Sequence, residues 1–198
     1  MLYFLDLFGT AVFAISGVTL AFRLRMNVIG VLVLSAAVAI GGGTVRDIIL
    51  NSPVFWLTNN TYLWDILLTC ILSIIVLLRI NKRIWWLLPV SDAIGLAAFT
   101  VIGAQKTLLL GFTPTIAIIM GAVTGCGGGV IRDVLARQVP FVFRKEIYVT
   151  ASAVGGMFYV SFYGIFNDVI LAVLTMVIVL GLRLGGIFRN WTLPVYHY

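Results

Sequence analysis

The sequence predicts an all-α integral membrane protein: seven transmembrane helices, arranged as two inverted three-helix repeats plus a C-terminal helix. Three observations lead there. The 198 residues are 62% hydrophobic and only 10% charged, with a mean hydropathy of +1.14, whereas soluble domains are roughly half apolar and a quarter charged. Loops that carry Lys and Arg alternate with loops that do not. The motif Gly-Gly-Gly-x-x-Arg-Asp occurs twice, 86 residues apart, inside long apolar runs.

Bilayer hydrocarbon about 30 Å thick takes roughly 20 helical residues per crossing, which gives helices at about 3–22, 28–50, 62–80, 88–110, 114–136, 146–165 and 168–188. Seven crossings nearly exhaust the chain, so a single membrane domain is expected over residues 1–198, with no soluble domain. The first run lacks a basic leading region and carries Asp6, so it reads as a retained helix rather than a cleaved signal. Arg23 and Arg25 follow the first helix, and the stretch 51–61 has no Lys or Arg. Arg79, Lys82 and Arg83 follow the third, and the turn Gly111-Phe112-Thr113 is neutral. Arg137, Arg144 and Lys145 follow the fifth, Asn167-Asp168 the sixth, and Arg189 the seventh. The positive-inside rule then places the N-terminus outside and the C-terminus in the cytoplasm. Topology thus accounts for the net charge of +6 without nucleic acid as a partner. Trp56, Trp64, Trp85, Trp86 and Trp191 fall at predicted helix ends, where indoles favour the interface.

The repeat extends beyond the motif. A shift of 86 carries Asp6 onto Asp92, Gly9 onto Gly95, Phe13 onto Phe99 and Gly17 onto Gly103, and needs no gap up to Asp47 and Asp133. The first unit, about 3–80, holds three helices. An odd number sends the second, about 88–165, into the membrane from the opposite side, which makes the two inverted copies. The helix at about 168–188 is left over and is expected to pack outside the repeated core.

Glycine costs about 1 kcal/mol against alanine inside a helix, so each triplet weakens its helix by roughly 3 kcal/mol. Gly41, Gly42 and Gly43 in the second helix, and Gly127, Gly128 and Gly129 in the fifth, are therefore candidate kinks. There, freed carbonyls could line a polar path and replace part of a cation's water shell. The competing reading is close helix packing through small residues. Arg46-Asp47 and Arg132-Asp133 follow the triplets. Adjacent helical residues point about 100° apart, so each Arg is expected to pair with another helix. The repeat puts Asp6 and Asp92 at the membrane levels of these two pairs. Such pairs either lock helices together or line vestibules that concentrate cations. Lys106 breaks the symmetry, since its counterpart is Leu20. It either snorkels to the headgroups or stands beside the path and regulates passage by repulsion.

The sequence holds no Walker loop, no His–Glu metal cluster and no nucleophile with a plausible base. Cys70 and Cys126 lie in different apolar runs, and the single His, His197, sits beside the C-terminus. No enzyme activity, catalytic residue, bound metal or cofactor is expected, apart from the transported ion.

The paired repeats, the seventh helix and the triplets on the second and fifth helices resemble the trimeric intracellular cation (TRIC) channel superfamily. The Gly-Gly-Gly-x-x-Arg-Asp form is similar to its bacterial branch, small membrane proteins with a tandem "glycine transporter" domain. The resemblance runs from Asp6 to about Arg183. It implies a homotrimer in the bacterial cytoplasmic (inner) membrane. Each subunit would hold its own pore, between kinked second and fifth helices, that passes monovalent cations such as K+ and Na+. Animal members carry Lys-Glu-Val on the fourth helix and bind a phosphoinositide; this chain lacks that stretch, so the lipid role is not carried over. The alternative function is a secondary transporter of glycine or a similar small solute, to which inverted repeats are equally suited.

Overall fold

The computed structural model describes residues 2–79, 86–144, 147–189 and 191. Lys82, Arg83, Trp85, Lys145 and His197 lie outside the described residues. In chain order the helices are α1 (Leu2–Arg23), α2 (Val28–Ile49), α3 (Phe55–Thr58), α4 (Thr61–Arg79), α5 (Leu87–Leu109), α6 (Pro114–Leu135), α7 (Val149–Ser161) and α8 (Asp168–Arg189). A 3-10 turn at Phe141–Phe143 precedes α7.

Local chemistry sets the ends of these helices. The Asn27 side chain caps α2 by accepting from the Gly30 N–H at 2.7 Å, and Pro114 opens α6 where a missing N–H costs nothing. The connections repeat as well. Asn51 and Arg137 leave α2 and α6 with φ of 50° and 52°, and Arg25 and Gly111 turn the chain into them with φ of 55° and 82°. Each pair is separated by the same 86 residues. α3 and the 3-10 turn start 86 residues apart too, and neither was anticipated from the sequence.

Six helices, α1, α2, α4, α5, α6 and α8, are long and apolar enough to cross a bilayer. The expected sixth crossing at 146–165 is shorter than foreseen. α7 has 13 residues, about 20 Å at 1.5 Å per residue, and the chain then turns through Gly164 at φ 80°.

α1, α2, α5 and α6 pack on one another at the centre, α1 on α2 and α5, and α6 on α2 and α5. α4 lies against α1 and α2, as its repeat counterpart α7 lies against α5 and α6. α8 covers α5 and α7. Burial follows this order: 78% of the apolar window of α5 is buried, against 22% for α4. Phe13 stacks on its own repeat counterpart Phe99, with centroids 5.1 Å apart and planes 14° from parallel. Gly95 leaves room for Phe13, and Gly9 leaves room for Phe99. Two residues that exchange identities under the repeat and touch each other mark a pseudo-two-fold axis passing between them.

Candidate functional site: two charge clusters about a glycine contact

α2 and α6 meet at the triplets. A methyl group on Gly42 would strike the Thr124 carbonyl oxygen, and one on Gly128 would lie 2.5 Å from the Val38 carbonyl oxygen. Thr124 and Val38 are themselves repeat counterparts, so the contact is reciprocal. One on Gly127 would lie 3.0 Å from the Gly42 Cα. The remaining glycines face other neighbours: Gly41 meets Ile131 Cδ1, Gly43 the Phe55 ring, and Gly129 the Tyr148 hydroxyl and Asp92. Successive positions point about 100° apart, so three adjacent glycines admit neighbours from three sides. Both helices run as α-helix without interruption through their triplets. Low helix propensity at the triplets does not break either helix. Contacts from three sides stabilise the helical form, and the triplets serve close approach.

In the second-repeat cluster one guanidinium bridges two helices. Arg132 is fully buried; its Nη1 donates to Asp92 Oδ1 at 2.6 Å and its Nε to Asp133 Oδ1 at 2.8 Å. Nη1 also reaches Ser16 Oγ on α1 at 3.2 Å. The Phe141 N–H donates to Asp133 Oδ2 at 3.1 Å. Three guanidinium groups surround the Phe141 ring, Arg132 at 5.0 Å, Arg144 at 4.8 Å and Arg183 at 5.4 Å. Arg183, fully buried on α8, also lies 4.8 Å from the Tyr148 centroid.

The first-repeat cluster has the same frame and different pairing. Arg46 Nε donates to Asp47 Oδ1 at 2.7 Å, and the Phe55 N–H donates to Asp47 Oδ2 at 3.0 Å. The Arg46 guanidinium lies 5.7 Å from the Phe55 centroid. Lys106 Nζ crosses from α5 to the same Asp47 Oδ1 at 2.7 Å. Asp6 takes no ion pair with Arg46; its Oδ2 accepts from the Tyr62 hydroxyl at 3.2 Å.

Two expectations are corrected. Each Arg does pair with the Asp next to it, because a guanidinium on a long stem spans the 100° between adjacent positions; only Arg132 also reaches another helix. Lys106 does not snorkel to the headgroups. Its side chain is 27% exposed and its ammonium is held by a fully buried carboxylate at 2.7 Å. Sequence reasoning also missed residues. Phe55 and Phe141, and Tyr62 and Tyr148, are 86 apart and flank the two clusters; continuing the shift past Asp47 exposes both pairs. Nothing in the repeat flags Arg183 or Ser16, whose helices join the cluster only in three dimensions. Among the described residues no group of three or more His, Cys, Asp or Glu is placed to hold a metal ion.

The fold and these clusters define the class: a multi-pass helical membrane protein built from two inverted repeats with buried ion pairs at corresponding positions. The family described as "Glycine transporter" matches the chain twice, over residues 3–78 and 89–164. The chain belongs to this family, in the bacterial branch of the TRIC superfamily. It is 50% identical over 198 residues to a UPF0126 membrane protein of Vibrio cholerae, covering 99% of this chain and 83% of that one. It is 45% identical over 199 residues to the UPF0126 inner membrane protein YadS of Escherichia coli, covering 99% and 96%. Its fold matches the TRIC trimeric intracellular cation channel orthologue of Rhodobacter sphaeroides with a TM-score of 0.90 and 31% identity, over 96% of this chain and 98% of that one.

Proposed function

We propose that the chain is a monovalent cation channel for K+ or Na+, with a path in each subunit between α2 and α6. It works as a homotrimer in the bacterial inner membrane, with the N-terminus outside and the C-terminus cytoplasmic. One observation carries the reading: a reciprocal glycine contact between α2 and α6, with a buried carboxylate cluster at each end. The facing surfaces at the triplets include backbone, with the Val38 and Thr124 carbonyl oxygens beside the contact. If α2 and α6 part by a few ångströms, those oxygens become available to a dehydrated cation, with Asp47 toward one end and Asp133 toward the other. In the described conformation α2 and α6 touch at the triplets. Lys106 then regulates entry: its ammonium occupies the Asp47 oxygen that a permeating cation would otherwise meet. The likeness to solved TRIC cation channels at 31% identity supports this, as do the loop charges.

The test is flux into liposomes. Passive K+ uptake down its gradient is expected, without saturation at modest concentration and without competition from unlabelled glycine. Saturation together with counterflow of labelled glycine would replace the channel by a carrier, the alternative that the family description favours.

A further inference from the structure

The two clusters contain nearly the same groups in different arrangements. In the second repeat one guanidinium serves two carboxylates, Asp92 and Asp133, with Nη1 and Nε of Arg132. In the first repeat Arg46 serves only Asp47, and a second cation, Lys106, shares the same Asp47 oxygen. The groups that would complete the missing bridge are present and buried. Arg46 Nη1 and Asp6 Oδ1 are both buried, and neither makes a hydrogen bond. Arg46 is 1% exposed and Asp6 8%. The Tyr62 hydroxyl engages only the other Asp6 oxygen, Oδ2, so it does not block Oδ1.

Removing Lys106 from Asp47 leaves two carboxylates and one guanidinium on α1 and α2. That is the composition of the second cluster on the equivalent helices α5 and α6, where position 20, the counterpart of Lys106, is a leucine. Those groups can adopt the arrangement seen there, although Arg132 has the Ser16 hydroxyl as a further partner. A guanidinium can hold two carboxylates at once because its donors form a rigid fork, and burial makes an unbridged pair costly.

We infer that Asp6 is a positioning residue that receives Arg46 when Lys106 leaves Asp47, so that the released state of Lys106 is held by an Arg46–Asp6 bridge. The ammonium and Asp6 thus compete, through Arg46 and Asp47, for one cluster. The second repeat shows the arrangement the first adopts after release. This inference rests on the proposed role of Lys106 for its effect on conduction, though not for the bridge itself.

The experiment has a structural arm and a flux arm. In the structure of the full-length Lys106→Gln protein, an Arg46 terminal nitrogen is expected within hydrogen-bond distance of Asp6. Arg46 held by Asp47 alone, as in the wild type, overturns the inference. In proteoliposomes Lys106→Gln is expected to raise K+ flux several-fold. Adding Asp6→Asn should remove at least half of that gain, and Asp6→Glu should keep it, since it retains a carboxylate. Equal flux from Lys106→Gln with and without Asp6→Asn overturns the role of Asp6. A bridge in the Lys106→Gln structure with unchanged flux upholds the ion-pair exchange and instead defeats Lys106 as a regulator of conduction. If Asp6→Asn fails to assemble, the Lys106→Gln structure and the Asp6→Glu flux still decide.

Discussion

The two halves of this molecule are alike at their centre and unlike at their ends. At the axis Phe13 stacks on Phe99, and Gly42 and Gly128 each receive the other helix's carbonyl. At the ends, Arg132 binds Asp92 and Asp133 together, while Arg46 binds Asp47 alone and Lys106 joins it. A duplicated frame therefore carries one cluster bridged between two helices by a single guanidinium and one in which the corresponding bridge is absent. The difference comes from few residues: Lys106 against Leu20, Ser16 against Ile102, and Arg183 supplied by the unrepeated α8. A symmetric scaffold thus carries two different charge arrangements, because Lys106 joins one cluster and Arg183 the other.

The largest expected effect tests whether one end is locked and the other loose. Asp92→Asn removes one of two carboxylates from a fully buried guanidinium, and is expected to destabilise by about 3 kcal/mol. Asp6→Asn keeps an oxygen that accepts from the Tyr62 hydroxyl and breaks no ion pair, so it should cost no more than about 1 kcal/mol. Thermal unfolding in detergent, followed by tryptophan fluorescence, compares them; equal losses would mean the two clusters are equally committed. Next come the glycines at the axis. Gly42→Ala and Gly128→Ala each drive a methyl into a backbone carbonyl that cannot swing away, so both are expected to lose about 2–3 kcal/mol, as overpacked interiors do. Gly41→Ala meets only the end of Ile131 and should be nearly neutral, because the gain in helix propensity of about 1 kcal/mol offsets the crowding. A clear inequality between Gly42→Ala and Gly128→Ala would break the symmetry where it looks most complete.

Smaller effects sharpen the contrast. Phe141→Leu removes a ring bordered by three guanidinium groups and Phe55→Leu a ring bordered by one. At roughly 0.5–1 kcal/mol for an exposed cation–π contact and more for a desolvated one, Phe141→Leu should be the more damaging by at least about 1 kcal/mol in the same melt. Lys106→Gln should also change stability little. The lysine is partly exposed, and Asp47 keeps Arg46 and the Phe55 N–H, so a loss under about 1 kcal/mol is expected. Its K+ flux should nevertheless rise. A large loss of stability with unchanged flux would recast Lys106 as a structural tie.

Much of the fold was legible because lipid makes demands that sequence shows directly. Runs near 20 apolar residues and the 86-residue shift placed α1, α2, α4, α5, α6 and α8 within a residue or two. The short α7 was read too long, because its apolar neighbours continue past Ser161 while Gly164 turns the chain away. The candidate charges Asp6, Arg46, Asp47, Asp92, Arg132 and Asp133 stood out as polar residues in apolar runs, and the structure gathers them into two groups. Their pairing was not legible, because side-chain reach decides it. Phe55, Phe141, Tyr62 and Tyr148 looked like ordinary membrane aromatics until the backbone N–H groups and rings were seen against the clusters.

The sequence by itself determined that this chain crosses a membrane repeatedly, that its halves are inverted copies, and where glycines and charges sit along each helix. These follow from length, hydropathy and repetition, which are properties of a chain read in order. Only the tertiary structure decided that the triplets remain helical and touch, that Lys106 reaches Asp47 rather than the membrane surface, and that Arg183 from α8 joins the second cluster. Those outcomes depend on which helices approach within a few ångströms, and hydrogen bonds, ion pairs and steric contacts act only at that range.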